Sequence, residues 1–380
     1  MKRTYQFDQA ATSFPKAEGV AEAMTEYLTQ VGGNVGRGAY RSACDAAEAV
    51  LEVRERLCTL LGGPAPQNVI LTPGCTYSLN FVLKGLLRPG DRVAVSGLEH
   101  NAVLRPLRQM EARGVTVDCL PCRATGELDL AAADTRLVVL THASNVCGTL
   151  LPVAEVGALC RERGIFLCVD AAQTAGSVPI HMGKMHIDAL AFPGHKGLLG
   201  PQGIGGLIVT DALARALDPL VTGGTGSASD SPEMPELLPD RFEPGTLNLP
   251  GVYGLRAALR WLEGQDLEVL RRREIKLTGH LIARLREMEE DGLKIFGTLD
   301  AARQVGVVSV DFPGLDNAEA AFQLERDYGV LTRCGLHCAP LAHRTLGTFP
   351  AGTVRFSVGP FTRFEDVDYL QAAVCGVMGV

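Results

Sequence analysis

Lys196 stands in AFPGHKGLLGPQGIGG, residues 191–206, as a cation among apolar and small residues. DALAF before it and IGGLIV after it read as buried strands, so neither a helix nor an ion-paired surface accounts for it. A buried amine loses hydration, its pKa falls, and it becomes a usable nucleophile or base. An exposed loop lysine is the ordinary alternative. Asp170 ends the apolar run GIFLCVD, with Gln173 three residues on. A cap or a salt bridge would explain an acid at a strand's carboxyl end, and so would a cationic ligand. A lysine and an acid at the ends of neighbouring strands are the pair that pyridoxal 5′-phosphate chemistry requires. The lysine forms the Schiff base, and the acid keeps the pyridinium nitrogen protonated so that the ring stores electrons. Such a charge-assisted hydrogen bond is worth roughly 1.5–3 kcal/mol.

Other residues join this pair less specifically. TPGCTYSLNFVLKGLL, residues 72–87, opens on Pro-Gly and continues as a helical pattern. Backbone amides at a helix start bind anions, so Cys75 and Thr76 would cradle a phosphate there. His195 beside the lysine could add a contact. His100 follows a predicted strand in SGLEHNAVLRP. Its imidazole could stack on a flat ring and move protons, or could be a capping or core histidine. Cys119 and Cys122 form a lone CxxC without a second ligand pair, so no metal site is expected.

These residues need a scaffold. Short apolar runs at 92–97, 135–142, 164–170 and 188–192 alternate with helical patterns at 101–113 and 153–164. That alternation indicates an α/β layer with a largely parallel sheet, whose ligands lie at the carboxyl ends of its strands. Residues 224–246 read as a long irregular loop. Residues 267–292 read as one helix, with Leu270, Leu277, Leu281, Leu285 and Met288 on a single apolar face. Short strands and a terminal helix from about Glu365 complete a smaller α+β part. The expected division is an N-terminal segment 1–20, a large domain 21–258 and a small C-terminal domain 259–380.

The 380 residues are 46% hydrophobic and 21% charged, which places the chain among globular proteins. A net charge of −7 without a basic block argues against nucleic-acid and anionic-membrane binding. No apolar run approaches a membrane span, and the start of the chain lacks the apolar region of a signal peptide. The 11 cysteines, an odd number lying mostly in apolar segments, suit a reducing cytoplasm.

The motifs together resemble the class V, fold-type I pyridoxal-phosphate enzymes, and among them the cysteine desulfurases with a short catalytic loop. The resemblance runs nearly end to end: FDQAATSFP near the start, EHNAV at 99–103, THASNVCGT at 141–149, VDAAQ at 169–173, GHK at 194–196, FEPGT at 242–246 and RCGLHCAP at 333–340. It implies a large domain with a mainly parallel seven-stranded sheet between helices, and a small domain carrying a catalytic cysteine.

The resemblance also implies roles. Lys196 is expected to carry the cofactor and Asp170 to meet its ring nitrogen. Gln173 and Asn145 are expected at its phenolic oxygen, His100 on its face, and Cys75, Thr76 and His195 at its phosphate. Thr246 would come from the neighbouring subunit of a homodimer. Arg355, with Arg333 and Asn145, would bind the substrate carboxylate, and Cys338 would accept sulfur from L-cysteine as a persulfide. Arg333 and His337 would make the surroundings of Cys338 electropositive. The onward sulfur acceptor is an unidentified protein. Three departures bear on these roles: Gln9 replaces the usual Asn, Pro193 a serine common before GHK, and Leu336 a histidine in the RCGLHC element, where Cys334 adds a thiol. The rivals are a class V aminotransferase, a selenocysteine lyase, or a protein of this fold without turnover. A nicotinamide dehydrogenase fits worse still, since no GxGxxG follows a first strand.

Overall fold

Runs of four or five apolar residues become the strands of one large sheet because both faces are covered by helices. The structure, a computed structural model, describes residues 3–36, 38–123, 125 and 135–380. In chain order the first half contains β1 (Tyr5–Gln6), α1 (Val20–Glu26), α2 (Arg41–Leu61), β2 (Val69–Thr72), α3 (Cys75–Leu86), β3 (Arg92–Ser96), α4 (Asn101–Glu111), β4 (Thr116–Leu120), β5 (Leu137–Thr141), α5 (Val153–Arg163), β6 (Phe166–Asp170), β7 (Ala189–Pro193), β8 (Gly205–Val209) and α6 (Asp211–Ala216). The second half contains α7 (Leu249–Glu263), α8 (Leu267–Arg286), β9 (Lys294–Phe296), β10 (Val307–Asp311), α9 (Asn317–Tyr328), β11 (Val330–Leu331), β12 (Arg333–Gly335), α10 (Pro340–Leu346), β13 (Thr353–Ser357) and α11 (Phe364–Met378).

The large sheet has seven strands in the order β2-β8-β7-β6-β5-β3-β4. All pairings are parallel except those of β8 with β2 and β7. Two antiparallel steps leave β2 running with β7, so the carboxyl ends of β2, β3, β5, β6 and β7 share one edge. The small sheet is antiparallel, in the order β12-β13-β10-β9. β1 pairs with β11, and Asp8 bridges Ser357 beside β13.

Core packing changes along the helices. Leu255, Ala258, Leu259 and Leu262 of α7 are buried against the large sheet, whereas Leu277, Leu281 and Leu285 of α8 are buried against the small one. Full burial of a leucine contributes about 1.5–3 kcal/mol. The single apolar face expected over 267–292 is divided: Leu270 packs towards the large-sheet core and the other four positions towards the small-sheet core. The helix also stops at Arg286, because residues 287–292 form turns that end at Gly292 with φ of 98°. Asp266 caps α8 by accepting from the Glu268 and Val269 amides. No helix among the described residues is long and apolar enough to cross a membrane.

Candidate active site

The shared strand edge opens into a cavity of about 660 Å³. Its wall includes Gly74, Cys75 and Thr76 after β2, His100 after β3, Asn145 after β5, Asp170 and Gln173 at the end of β6, and His195 and Lys196 after β7. Eight of the expected site residues are therefore brought into contact with one volume.

Lys196 projects from a tight turn. A side chain at Gly197 would meet the Ala175 carbonyl at 2.5 Å, so only glycine lets this turn approach the loop after β6. Burial pulls the Lys196 amine down to about 8, and the Arg355 guanidinium adds to this; Asp170 opposes it. Asp170 is 3% exposed. Its Oδ1 accepts from the Ala172 amide at 2.8 Å and from the Cys75 thiol at 3.2 Å. Oδ2 has no hydrogen-bond partner among the described residues. One carboxylate oxygen is thus anchored from behind and the other is left for the cavity.

The end of the cavity where a phosphate was expected is built from backbone. Gly74 precedes α3 with φ of 152° and ψ of 177°, a conformation that side-chain-bearing residues rarely adopt. The first amides of α3 have no intrahelical partner and point out of the helix start. Thr76 is exposed on the cavity wall. The Cys75 side chain is not part of this cradle, because it turns to Asp170; its backbone amide remains at the helix start. His195 Nδ1 lies 3.0 Å from Thr12 Oγ1, and burial, Lys196 and Lys16 pull its ring down to about 4. A neutral imidazole there can still donate one hydrogen bond.

His100 caps α4: its Nδ1 accepts from the Ala102 amide at 3.0 Å. In the neutral ring the proton therefore sits on Nε2, and burial favours that neutral form. Gln173 Nε2 donates to the Ala10 carbonyl at 3.1 Å, tying the wall to the N-terminal segment. Of the departures, Pro193 lines the cavity, while Gln9 clasps the backbone of Phe14 through both ends of its amide.

Asn145 connects the cavity to the small sheet. Its carbonyl accepts from Arg355 Nη1 at 2.9 Å, and its Nδ2 donates to the His337 carbonyl at 2.8 Å. Arg355 on β13 is 2% exposed and stands directly opposite Arg333 on β12. Asp8 reconciles the two like charges, meeting Arg355 Nη2 at 2.8 Å and Arg333 Nε at 3.2 Å. Arg355 Nε is buried without a partner, a donor left for a ligand carboxylate. Arg355, Arg333 and Cys338 lie outside the cavity wall itself.

Cys338 is exposed. His337 and Cys338 have φ of 46° and 57°, and the Ala339 amide closes the turn onto the Leu336 carbonyl at 2.8 Å. Two left-handed central residues are the geometry of a type I′ turn, which costs roughly 1–2 kcal/mol per non-glycine residue. The Cys338 carbonyl accepts from the Asn101 amide at 2.8 Å, so the turn is pinned to the start of α4. His337 does not supply the expected positive charge. Its Nε2 lies 3.2 Å from Thr353 Oγ1 in a buried site, and burial, Arg355 and His343 hold the ring neutral, down to about 2. Cys334 packs against the small-sheet core, where burial raises its thiol pKa.

Thr246 stands elsewhere. It is exposed and lines a second cavity of about 760 Å³ with Arg54, Glu243, Gly36 and Gly224. The loop carrying it is anchored by a buried two-point ion pair of Arg54 and Glu243. Sequence reasoning missed Asp8, Lys16 and Glu99. Asp8 lies in a quoted motif, but its partner is 347 residues away. Lys16 Nζ reaches Thr12, Ser13 and the His195 carbonyl, each at 3.1 Å. Glu99 is fully buried; Ser96 and the Thr141 amide bond one oxygen, and burial pushes its carboxyl up to about 8.

The donor set fits pyridoxal 5′-phosphate: an anion cradle, a depressed lysine, a flat neutral imidazole and a carboxylate with one free oxygen converge on one volume. Comparison with known proteins agrees. The family model described as Aminotransferase class-V matches residues 5–370. A probable cysteine desulfurase of Methanothermobacter thermautotrophicus is 31% identical, over 100% of this chain and 96% of its own. The cysteine desulfurase CsdA of Escherichia coli is 32% identical, over 97% of this chain and 92% of its own. The solved apo structure of the cysteine desulfurase from Thermococcus onnurineus NA1 superposes with a TM-score of 0.92, at 32% identity, covering 99% of this chain and 95% of that one. The chain belongs to the aminotransferase class-V family, which its cavity at the strand ends and its full-length relatives define together.

Proposed function

We propose that this protein is a pyridoxal-phosphate-dependent cysteine desulfurase. The observation that carries the reading is the junction at Asn145, which joins the cofactor-type cavity, the Arg355 guanidinium and the Cys338 turn. The net reaction balances as L-cysteine plus the Cys338 thiol giving L-alanine plus a Cys338 persulfide. When bound, the cofactor supplies an electron sink that makes the substrate Cα–H acidic.

The chain's own groups do the rest. Asp170, anchored through Oδ1, would hold the cofactor's ring nitrogen in its protonated form. Lys196, with an amine near pH 8, takes and returns the Cα proton close to neutral pH. Arg355 orients the substrate carboxylate through its free N–H bonds, while Asp8 and the Asn145 carbonyl hold its plane. Gln173 and Asn145 would hold the cofactor at its phenolic oxygen, and Thr76, His195 and the Cys75 amide would hold its phosphate. Cys338 Sγ attacks the substrate sulfur as thiolate; the S–S bond forms as the C–S bond breaks. The turn presents that sulfur to solvent, where a second protein can collect it.

Thr246 is read as a residue given to the partner subunit of a homodimer, because it is exposed, remote from its own chain's cavity and held on a rigidly anchored loop. The chain divides functionally into the segment 1–20, the cofactor domain 21–258 and the cysteine-bearing domain 259–380. Its free thiols suit the reducing cytoplasm.

The test is desulfuration by the purified holoprotein. Alanine and a persulfide on the Cys338 peptide should form together. Cys338→Ser should keep the cofactor on Lys196 and lose alanine production. Wild-type turnover in Cys338→Ser, or sulfur found on Cys334, would sink the assignment and favour a lyase or aminotransferase.

A further inference from the structure

Cys75 is buried at the first position of α3, and its thiol is aimed at Asp170 Oδ1, 3.2 Å away. A carboxylate only accepts hydrogen bonds, so the thiol is the donor. Burial and the Asp170 charge keep it protonated, which removes it as a nucleophile and makes it a constant donor across the working pH range. The Ala172 amide bonds the same oxygen at 2.8 Å. Both anchors therefore act on Oδ1, and Oδ2 is left to the cavity. A hydrogen bond to the charged form lowers a carboxylate's proton affinity, and a thiol does this less than a hydroxyl.

We propose that Cys75 is a positioning residue for Asp170: its thiol fixes Oδ1 so that Oδ2 meets the ring nitrogen, and its weak donation leaves the carboxylate strongly attractive to positive charge. The inference rests on the cofactor reading above and adds a role for this side chain that a phosphate cradle does not need. The charged and titratable groups around Asp170 and Lys196 are His100 at α4, Glu99 in the turn before it, Arg355 on β13, Arg333 on β12 and Cys168 on β6. None of them replaces a donor at Oδ1. Removing the thiol leaves the Asp170 charge less shielded, so protonated forms near it gain.

The experiment compares Cys75→Ala and Cys75→Ser with the wild-type holoenzyme. The readouts are the pH midpoint of the absorbance of the Lys196-linked cofactor and the equilibrium constant for rebinding pyridoxal 5′-phosphate. In Cys75→Ala the midpoint should rise by about half a unit, roughly threefold in the equilibrium, and rebinding should weaken several-fold. In Cys75→Ser, a stronger donor of similar size, rebinding should be retained and the midpoint should fall. Equal shifts in the same direction for both variants would mean that Cys75 only fills space. An unmoved midpoint in both would also overturn the role. If the wild-type protein shows no Lys196-dependent absorbance, the cofactor reading itself fails; if it shows one and the variants do not separate, the Cys75 role alone fails.

Discussion

The strand-end cavity and the Cys338 turn are neighbours across Asn145, yet they handle charge in opposite ways. In the cavity the groups are left incomplete: Lys196 is depressed to about 8 and Asp170 keeps one oxygen free. At the small sheet the charges are largely matched in advance: Asp8 pairs with both Arg355 and Arg333, and His337 is neutral. The difference follows from how each region is built. Parallel strand ends and a helix start leave backbone donors unpaired, which suits a large anionic cofactor. An antiparallel sheet puts like side chains opposite each other and demands an internal counter-charge. The cavity is thus prepared for a ligand, while the turn is prepared to hold one exposed sulfur in place.

The strongest way to break the comparison is to empty the cavity of its base. Lys196→Ala should lower turnover to alanine by about a hundredfold to ten-thousandfold, measured on protein supplied with cofactor. A smaller loss would move the proton transfer to another group. Arg355→Ala attacks the other region. It leaves the Asp8 carboxylate with Arg333 alone and should cost about 2–4 kcal/mol in urea unfolding, with the KM for L-cysteine raised more than tenfold. Arg355→Lys should recover only part of that, since a point charge cannot replace the fork. An unchanged KM in the alanine variant would remove Arg355 from substrate binding.

Stability against pH sharpens the contrast. In the cofactor-free protein, Lys196→Met should be more stable than wild type by about 1–3 kcal/mol at neutral pH, because the ammonium is disfavoured in the cavity. The unfolded amine titrates near 10.5 and the folded one near 8, so the unfolded chain binds more protons between these values. Wild-type stability therefore rises with pH through that window, and the advantage of the variant should shrink. A constant difference between pH 8 and 10.5 would contradict the depressed amine. The smallest effect is expected at His337→Asn. Asn tolerates the left-handed conformation, and the lost ring carries no charge. The pH midpoint of Cys338 alkylation should stay within a few tenths of a unit of wild type; a clear rise would mean that the imidazole acts as a cation.

Much of the site was legible because strand ends announce themselves. Lys196, Asp170 and His100 each follow an apolar run of five residues or so, and parallel sheets gather such ends at one edge. The helix start on the cavity wall was legible from Pro-Gly before a helical pattern, but the direction of the Cys75 side chain was not, since a helix start fixes the amide and leaves the thiol to choose its partner. The helix over 267–292 was legible as amphipathic. That its face is shared between two cores was hidden, because periodicity records burial and not the identity of the neighbour.

The sequence by itself determined the strand–helix alternation of an α/β layer and the residue types that could hold a cofactor, because hydrophobic periodicity and turn chemistry are local properties of the chain; the count of seven strands came from the resemblance to a known family. Tertiary structure alone decided that Asp8 would sit between Arg355 and Arg333, that His337 would be neutral instead of electropositive, that Cys334 would face the core and Cys338 solvent, and that Thr246 would stand at a separate cavity. Each of these depends on groups hundreds of residues apart or on how deeply a side chain is desolvated. Charge and desolvation are set by what surrounds an atom in space, and linear spacing carries no measure of that.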